Sequence, residues 1–364
     1  MSVLQADLSA DAALNQRVQA FIGKHWARFQ RQADASGTAP KGSRLGTPAE
    51  RAAQIYAKMT NYRFCRQRPA EPQHFLRVIE ASIAAQEPIP VVLGHGPWKN
   101  CNNCSVSQVD WAEFFTLSHL VWLNEAVRDF HPQGLAVTYY VDDARAEAAN
   151  DIPACWTQRY IASLRELISL CGLAGSLVHD VISLKELYAL EDVYAHLPEA
   201  ETKIRAWESD PANAQTITLH LEHALRNLPE ACQKPPEELM DKATAAAHRY
   251  RVYYQAEVLA GLWDQPDRLY GRYGAHAGFW QLFTMRKGSI SQPWQGKGCL
   301  LSHAAGEKFE PFLLTRSKAE RLVSLGAVET GLPLPGFEII PVYAEPTSVL
   351  EPSLALRTPE RVAG

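Results

Sequence analysis

Several short stretches carry side chains able to hold an anion or move a proton, and each also has a plain structural reading. In Gly94-His95-Gly96-Pro97-Trp98-Lys99 two glycines let backbone approach a ligand closely, and the lysine supplies a cation a few residues on. The same residues also make a turn with a solvated lysine. The stretch lacks the Gly-Lys-Ser/Thr ending of a phosphate loop and the spacing of the dinucleotide fingerprint, so it gives no support to nucleotide binding. Asp110-Trp111-Ala112-Glu113 sets two carboxylates three residues apart. They fit a helix start, with Asp110 near the cap and Glu113 on the helix dipole, or a general acid or base turned back toward Lys99. Val141-Asp142-Asp143 places adjacent acids at the end of an apolar run. One can face a crevice while the other caps the following turn.

Arg272-Tyr273-Gly274-Ala275-His276 combines a guanidinium fork with an imidazole four residues on. That pair can grip a phosphate or carboxylate and shuttle a proton beside it, although both residue types are also ordinary surface. In Pro293-Trp294-Gln295 an aromatic sits between turn residues, as a plug for the turn or a wall for a flat substrate. Cys101-Asn102-Asn103-Cys104 has the spacing of a redox pair or of half a zinc site. No second pair with ligand spacing exists, and His95 and His119 would not make the compact local module that structural zinc uses. The preferred reading is two free thiols, with no metal and no cofactor.

These residues need elements to position them. The first third reads helical: apolar residues recur at helical spacing over 12–29, Thr47 can cap a helix over 48–59, and 72–85 continues in the same style. The Gly- and Ser-rich segment 34–44 reads as a mobile link. The apolar run at 88–93 reads as a buried strand breaking into the His95 loop, 110–130 as an amphipathic helix, and 135–141 as a second buried strand. A helix over 156–170 and a weak strand near 176–181 follow, so the pattern predicts an α/β layer of parallel strands, Rossmann-like in class. Helices return over 183–259, with interruptions expected at Pro198, Pro211 and Pro229. Short β-like runs at 278–285, 298–302, 309–314 and 337–343 suggest a strand-rich C-terminal portion, and the segment from 345 reads as a loose tail. The organisation expected is a helical N-terminal region at 1–87, an α/β core at 88–182, a helical insertion at 183–262, a strand-rich portion at 263–344 that completes the site, and a tail at 345–364.

Composition bounds the partners. A chain of 364 residues can bury a large core without covalent staples, and a formal charge of -4 lacks the electrostatic pull that nucleic-acid binding needs. The start of the chain has no basic cluster before an apolar run, and no stretch of about 18 apolar residues occurs, so neither export nor membrane insertion is expected. The odd, scattered set of seven cysteines points to reduced thiols in a cytoplasm.

Taken in order, Pro97-Trp98-Lys99, Asp110-x-x-Glu113, Val141-Asp142, Arg272-x-x-x-His276 and Pro293-Trp294-Gln295 resemble the motif series of the isocyanide synthases of the pyoverdine/dityrosine-biosynthesis family. The similarity runs over roughly residues 89–314, and it is the shared order of short motifs that carries it. Two positions depart: the family's Asp-Gly is Asp142-Asp143 here, and the histidine of its Pro-Trp-His turn is Gln295, which cannot titrate. The resemblance implies a condensation of the amine of an aromatic amino acid, such as tyrosine or tryptophan, with the ketone carbon of ribulose 5-phosphate. Fragmentation then leaves the isocyanide carbon on nitrogen without a redox cofactor. It further implies a functional link to a downstream oxygenase. On this reading Lys99, Glu113, His276 and Asp142 carry the chemistry, and Arg272, His95, Trp98, Trp294 and Gln295 hold the substrates.

Overall fold

The computed structural model describes residues 12–34, 46–61, 72–95, 109–187, 189–232, 234–262, 297–302, 309–314, 328–334 and 337–344. The expected link at 34–44 lies almost wholly outside them, and the loop past His95, the run at 278–285 and the tail lie outside altogether.

Three helices open the chain: Ala12–Asp34 (α1), Pro48–Met59 (α2) and Pro72–Ala85 (α3). The start of α2 is fixed chemically. Thr47 Oγ1 accepts the Glu50 amide, the Glu50 carboxylate accepts the Thr47 amide at 2.7 Å, and Pro48 takes the first helical position, where a missing N–H costs nothing.

Strand Ile89–His95 (β1), helix Trp111–Arg128 (α4) and strand Leu135–Val141 (β2) form one crossover unit, and β1 and β2 pair in parallel. Helices Asp143–Asn150 (α5) and Ala154–Leu170 (α6) lead to strand Val178–Ser183 (β3), parallel to β2, so the sheet order is β1-β2-β3. The central position of β2 explains its nearly unbroken apolar sequence, because a strand covered on both faces has no polar side to alternate with. Its entry is set by Gly134, whose positive φ of 66° suits a residue without Cβ, and by Asn124, whose Oδ1 accepts the Leu135 amide at 2.7 Å.

The core joins this sheet to the N-terminal helices through α4. Phe114 and Phe29 meet edge-on at 5.5 Å, as do Trp111 and Phe114, while His25 Nδ1 lies 2.8 Å from Ser118 Oγ. α5 was not expected from the sequence. Its eight residues are alanine-rich, with Asp143, Ala144, Arg145, Ala146, Ala149 and Asn150 buried, so it shows no polar stripe to reveal the helical period.

The block after β3 contains Leu184–Leu187 (α7), Leu190–Tyr194 (α8), Leu197–Glu208 (α9), Ala214–Asn227 (α10) and Pro236–Leu259 (α11). Pro198, Pro211 and Pro229, expected as interruptions, each lie in the first turn of the next helical segment, because proline's fixed φ suits that turn. A second apolar cluster, including Ala144, Leu184, Ile204, Val252 and Ala256, packs this block on α5. The described residues after Leu262 are Lys297–Ser302 (β4), Phe309–Leu314 (β5), Val328–Leu334 (β6) and Phe337–Ala344 (β7), paired in the order β5-β4-β7-β6. Among the described residues no helix is long and apolar enough to cross a membrane.

Candidate functional site

The three parallel strands finish level. His95 is in register with Val141, and Val141 with Ser183, so one edge gathers the ends of β1, β2 and β3. This is the side of an open α/β sheet where ligands bind.

Asp142 and Asp143 leave that edge in different directions. Asp143 is a structural clasp: its Oδ2 accepts the Ser183 hydroxyl at 2.6 Å, and its Oδ1 accepts the Leu184 and Ala144 amides, each at 3.0 Å. It therefore ties the start of α5 to the end of β3. Asp142 accepts Arg145 Nη1 through Oδ2 at 3.0 Å, while its Oδ1 is enclosed and has no hydrogen-bond partner among the described residues. Desolvation raises the affinity of both carboxylates for a proton. For Asp142, Arg145 opposes this and Asp143 reinforces it; for Asp143, the Ser183 hydrogen bond opposes it. Asp142 thus combines an unsatisfied acceptor with a heightened tendency to take a proton.

Arg145 anchors the arrangement. Its Nε lies 3.1 Å from both oxygens of Glu257, which is fully buried on α11, and its Nη2 donates to the Tyr140 hydroxyl at 3.0 Å. The guanidinium also sits 5.8 Å from the centre of the Tyr254 ring and approaches the Tyr250 hydroxyl. Desolvation around its hydroxyl raises the Tyr250 pKa although the residue as a whole is 36% exposed, with Arg145 opposing and Asp142 and Glu257 reinforcing. One buried cation thereby orients Asp142, fixes α11 against α5 and borders two partly exposed tyrosines.

Glu113 belongs to a different environment. It is 1% exposed; Oε2 accepts the Asp110 amide at 2.7 Å and Oε1 accepts the Tyr160 hydroxyl at 2.9 Å. The first bond is the helix-start geometry allowed by the sequence, and the tyrosine is an addition from α6. Burial, then the adjacent Glu113 charge, keeps the Tyr160 hydroxyl protonated, and the same two influences act in that order on Tyr139. Because side chains alternate across a strand, Tyr139 places Glu113 on one face of β2 while Tyr140 places Arg145 and Asp142 on the other.

His95 ends β1, but its side chain is outside what is described. Lys99, Trp98, Arg272, His276, Trp294 and Gln295 lie outside the described residues, as do Cys101 and Cys104. Among the described residues no group of three His, Cys, Asp or Glu side chains could hold a metal. Sequence reading overlooked Arg145, Tyr160 and Glu257. Arg145 had a local signal, three residues beyond Asp142 on a helix, whereas Glu257 stands 112 residues away and had none.

No family model matches the chain, and no curated protein does. Among solved structures it is similar to the crystal structure of the PvcA protein from Pseudomonas aeruginosa, with a TM-score of 0.55 and 20% identity, covering 81% of this chain and 100% of that one. At that identity the likeness is one of fold, and it spans the full length of PvcA.

Proposed function

We propose that the chain is an isocyanide synthase-like enzyme, a non-redox transferase that joins the amine of an aromatic amino acid to ribulose 5-phosphate in secondary metabolism. The observation that carries this reading is Asp142. It is a strand-end carboxylate with one enclosed oxygen that has no partner among the described residues, at the motif position that the resemblance assigns to the chemistry. A fold shared with PvcA along the whole of that protein supports it.

In the proposed site Asp142 orients the amine or a sugar hydroxyl through Oδ1. Lys99 and Arg272 hold the anionic groups, Arg272 taking the phosphate because its planar fork can bind two oxygens at once. His276 is the acid and base for imine formation, enolisation and elimination. Glu113, expected to share that role, lies across β2 from Asp142 with both oxygens bonded, and acts as a scaffold group. His95, Trp98, Trp294 and Gln295 line the substrates. We place the completion of the site in a strand-rich portion at 263–344, set against an α/β core at 88–182 and a helical insertion at 183–262. The catalytic setting proposed is cytoplasmic, and the product passes to a downstream oxygenase.

Gln295 favours a second reading. An amide cannot donate a proton as the family's histidine does, which suits transfer of an acyl or one-carbon unit to the amine, or simple binding of an amino-acid metabolite. Incubating the protein with L-tyrosine or L-tryptophan and ribulose 5-phosphate, followed by mass spectrometry, separates these readings. An isocyanide product is expected. A different adduct would move the assignment to the transferase, and unchanged substrates would move it to the binding protein.

A further inference from the structure

Helices α9, α10 and α11 line an open cleft of about 600 Å³ that the condensation reading does not use. Its size is in the range of small-molecule sites. Tyr250 and Tyr254, one turn apart on α11 and 36% and 40% exposed as residues, line it, and Trp207 of α9 adds a third aromatic wall. Large aromatic rings left this accessible in a concavity provide flat contact surface at low entropic cost.

The charged lining residues are Lys203, which pairs with Glu199 at 2.9 Å on the exposed surface, and Arg251, which pairs with Glu208; His220 adds an imidazole, and neither carboxylate is among the described lining residues. An exposed pair such as Lys203–Glu199 contributes little stability, so a ligand carboxylate can take the place of Glu199. Arg251 is held in place from outside the cleft. Its side chain is 8% exposed, Nε donates to Glu208 Oε1 at 2.8 Å and Nη2 bonds the same oxygen. Nη1 remains, facing His220 Nδ1 at the long distance of 3.5 Å. A guanidinium fixed along one edge offers its remaining nitrogen to a single oxygen. That suits a carboxylate better than a phosphate, which is best bound by the open fork.

We propose that this cleft binds an aromatic carboxylate of amino-acid size, its ring against Trp207, Tyr250 and Tyr254 and its carboxylate on Arg251 Nη1 and Lys203. The site stands independently of the condensation chemistry. The occupant would nonetheless lie one side chain from the strand edge, because Tyr250 and Tyr254 also border Arg145.

Calorimetric titration of the full chain with 4-hydroxyphenylacetate, tyramine and inorganic phosphate tests the assignment without any turnover. Saturable binding of 4-hydroxyphenylacetate is expected, with tyramine, which carries a cationic aminomethyl group in place of the carboxylate, weaker by about tenfold or more. Trp207→Ala should weaken the carboxylate by about tenfold through loss of the aromatic wall. Lys203→Glu should also weaken it, and because the Lys203 side chain is 51% exposed, that variant keeps the fold if Trp207→Ala does not. Absence of saturable binding would overturn the proposal, as would equal binding of tyramine, displacement of the carboxylate by equimolar phosphate, or wild-type affinity in Lys203→Glu.

Discussion

Arg145 shows how one buried cation can be both scaffold and site. Its partner Glu257 is fully buried, so truncating that side chain takes away the carboxylate whose two oxygens both lie against Arg145 Nε. Glu257→Ala should lower unfolding free energy in urea by about 3 to 5 kcal/mol, the usual cost of breaking a buried pair from one side. The double variant Arg145→Met, Glu257→Leu should recover part of that loss, since it removes both charges and restores apolar volume. A loss in the double variant as large as the sum of the two single losses would show that the pair is not coupled. Asp142→Asn keeps shape and an acceptor for Arg145 but removes the charge and the titration at Oδ1. In the proposed enzyme it should leave the unfolding free energy in urea within about 1 kcal/mol of the parent while slowing turnover by about a hundredfold or more. A large loss of stability with intact turnover would reassign Asp142 to the scaffold.

The elements are held in register by short polar devices at their ends. Asp143 clasps α5 to the end of β3, and Asn124 together with Gly134 fixes where β2 begins. A Cβ on Gly134 would stand 2.3 Å from Asn124 Oδ1, on a backbone already in the left-handed region. Gly134→Ala should therefore cost about 2 to 4 kcal/mol, combining left-handed strain with the displaced Asn124 bond to Leu135. Denaturant titration measures the cost. Gly134→Asn should be better tolerated in φ but not in space, and a neutral Gly134→Ala variant would sink this account of the β2 entry. In the helical block, His248 lies between Glu201 and Glu208, 2.9 Å from an oxygen of each, joining α11 to α9. Hydrogen bonding to His248 is the main cause that holds the Glu201 carboxyl below its usual range; for Glu208, His248 and Arg251 together outweigh desolvation. Carboxylates with depressed pKa stabilise the fold above the usual carboxylate range and stop doing so as pH falls through their own pKa. Amide exchange in α9 should accordingly speed up on acidification below about pH 4, once the intrinsic pH dependence of exchange is removed.

At the scale of the whole molecule, burial of His25 in the α1–α4 contact and of His119 on α4 sets a wider pH response. Burial lowers the pKa of His25 and of His119 from 6.5 to about 4, with Arg28 adding to the effect on His25. Between those values the unfolded chain takes up protons that the folded chain refuses. Their contribution to stability is therefore complete above 6.5 and is lost as pH falls toward 4. Asp142 and Asp143 act in the opposite sense. Their raised pKa values make them unfavourable at neutral pH and progressively less so as acid approaches the ordinary carboxylate range. Urea titrations at a series of pH values should show stability falling from pH 6.5 to 4, with a shallower fall in His119→Gln. An unchanged slope in that variant would mean that His119 is not the proton-refusing group.

Local chemistry decided what could be read from the sequence alone. The Thr47–Glu50 cap, the 3.6-residue spacing in α4 and the short apolar runs of β1 and β2 act over a few residues, and the parallel unit they predict is the one observed. The helix-start reading of Asp110 and Glu113 was legible for the same reason. α5 was not, because a helix buried on most sides has no amphipathic stripe, and neither was the pairing of Arg145 with Glu257 or of Glu113 with Tyr160, which requires chain segments 112 and 47 residues apart to meet. Residue types and order named Asp142 as a candidate. Only the packing of α11 on α5 decided that one of its oxygens would be held by Arg145 and the other enclosed with no partner among the described residues, since desolvation and long-range ion pairing are properties of the assembled fold.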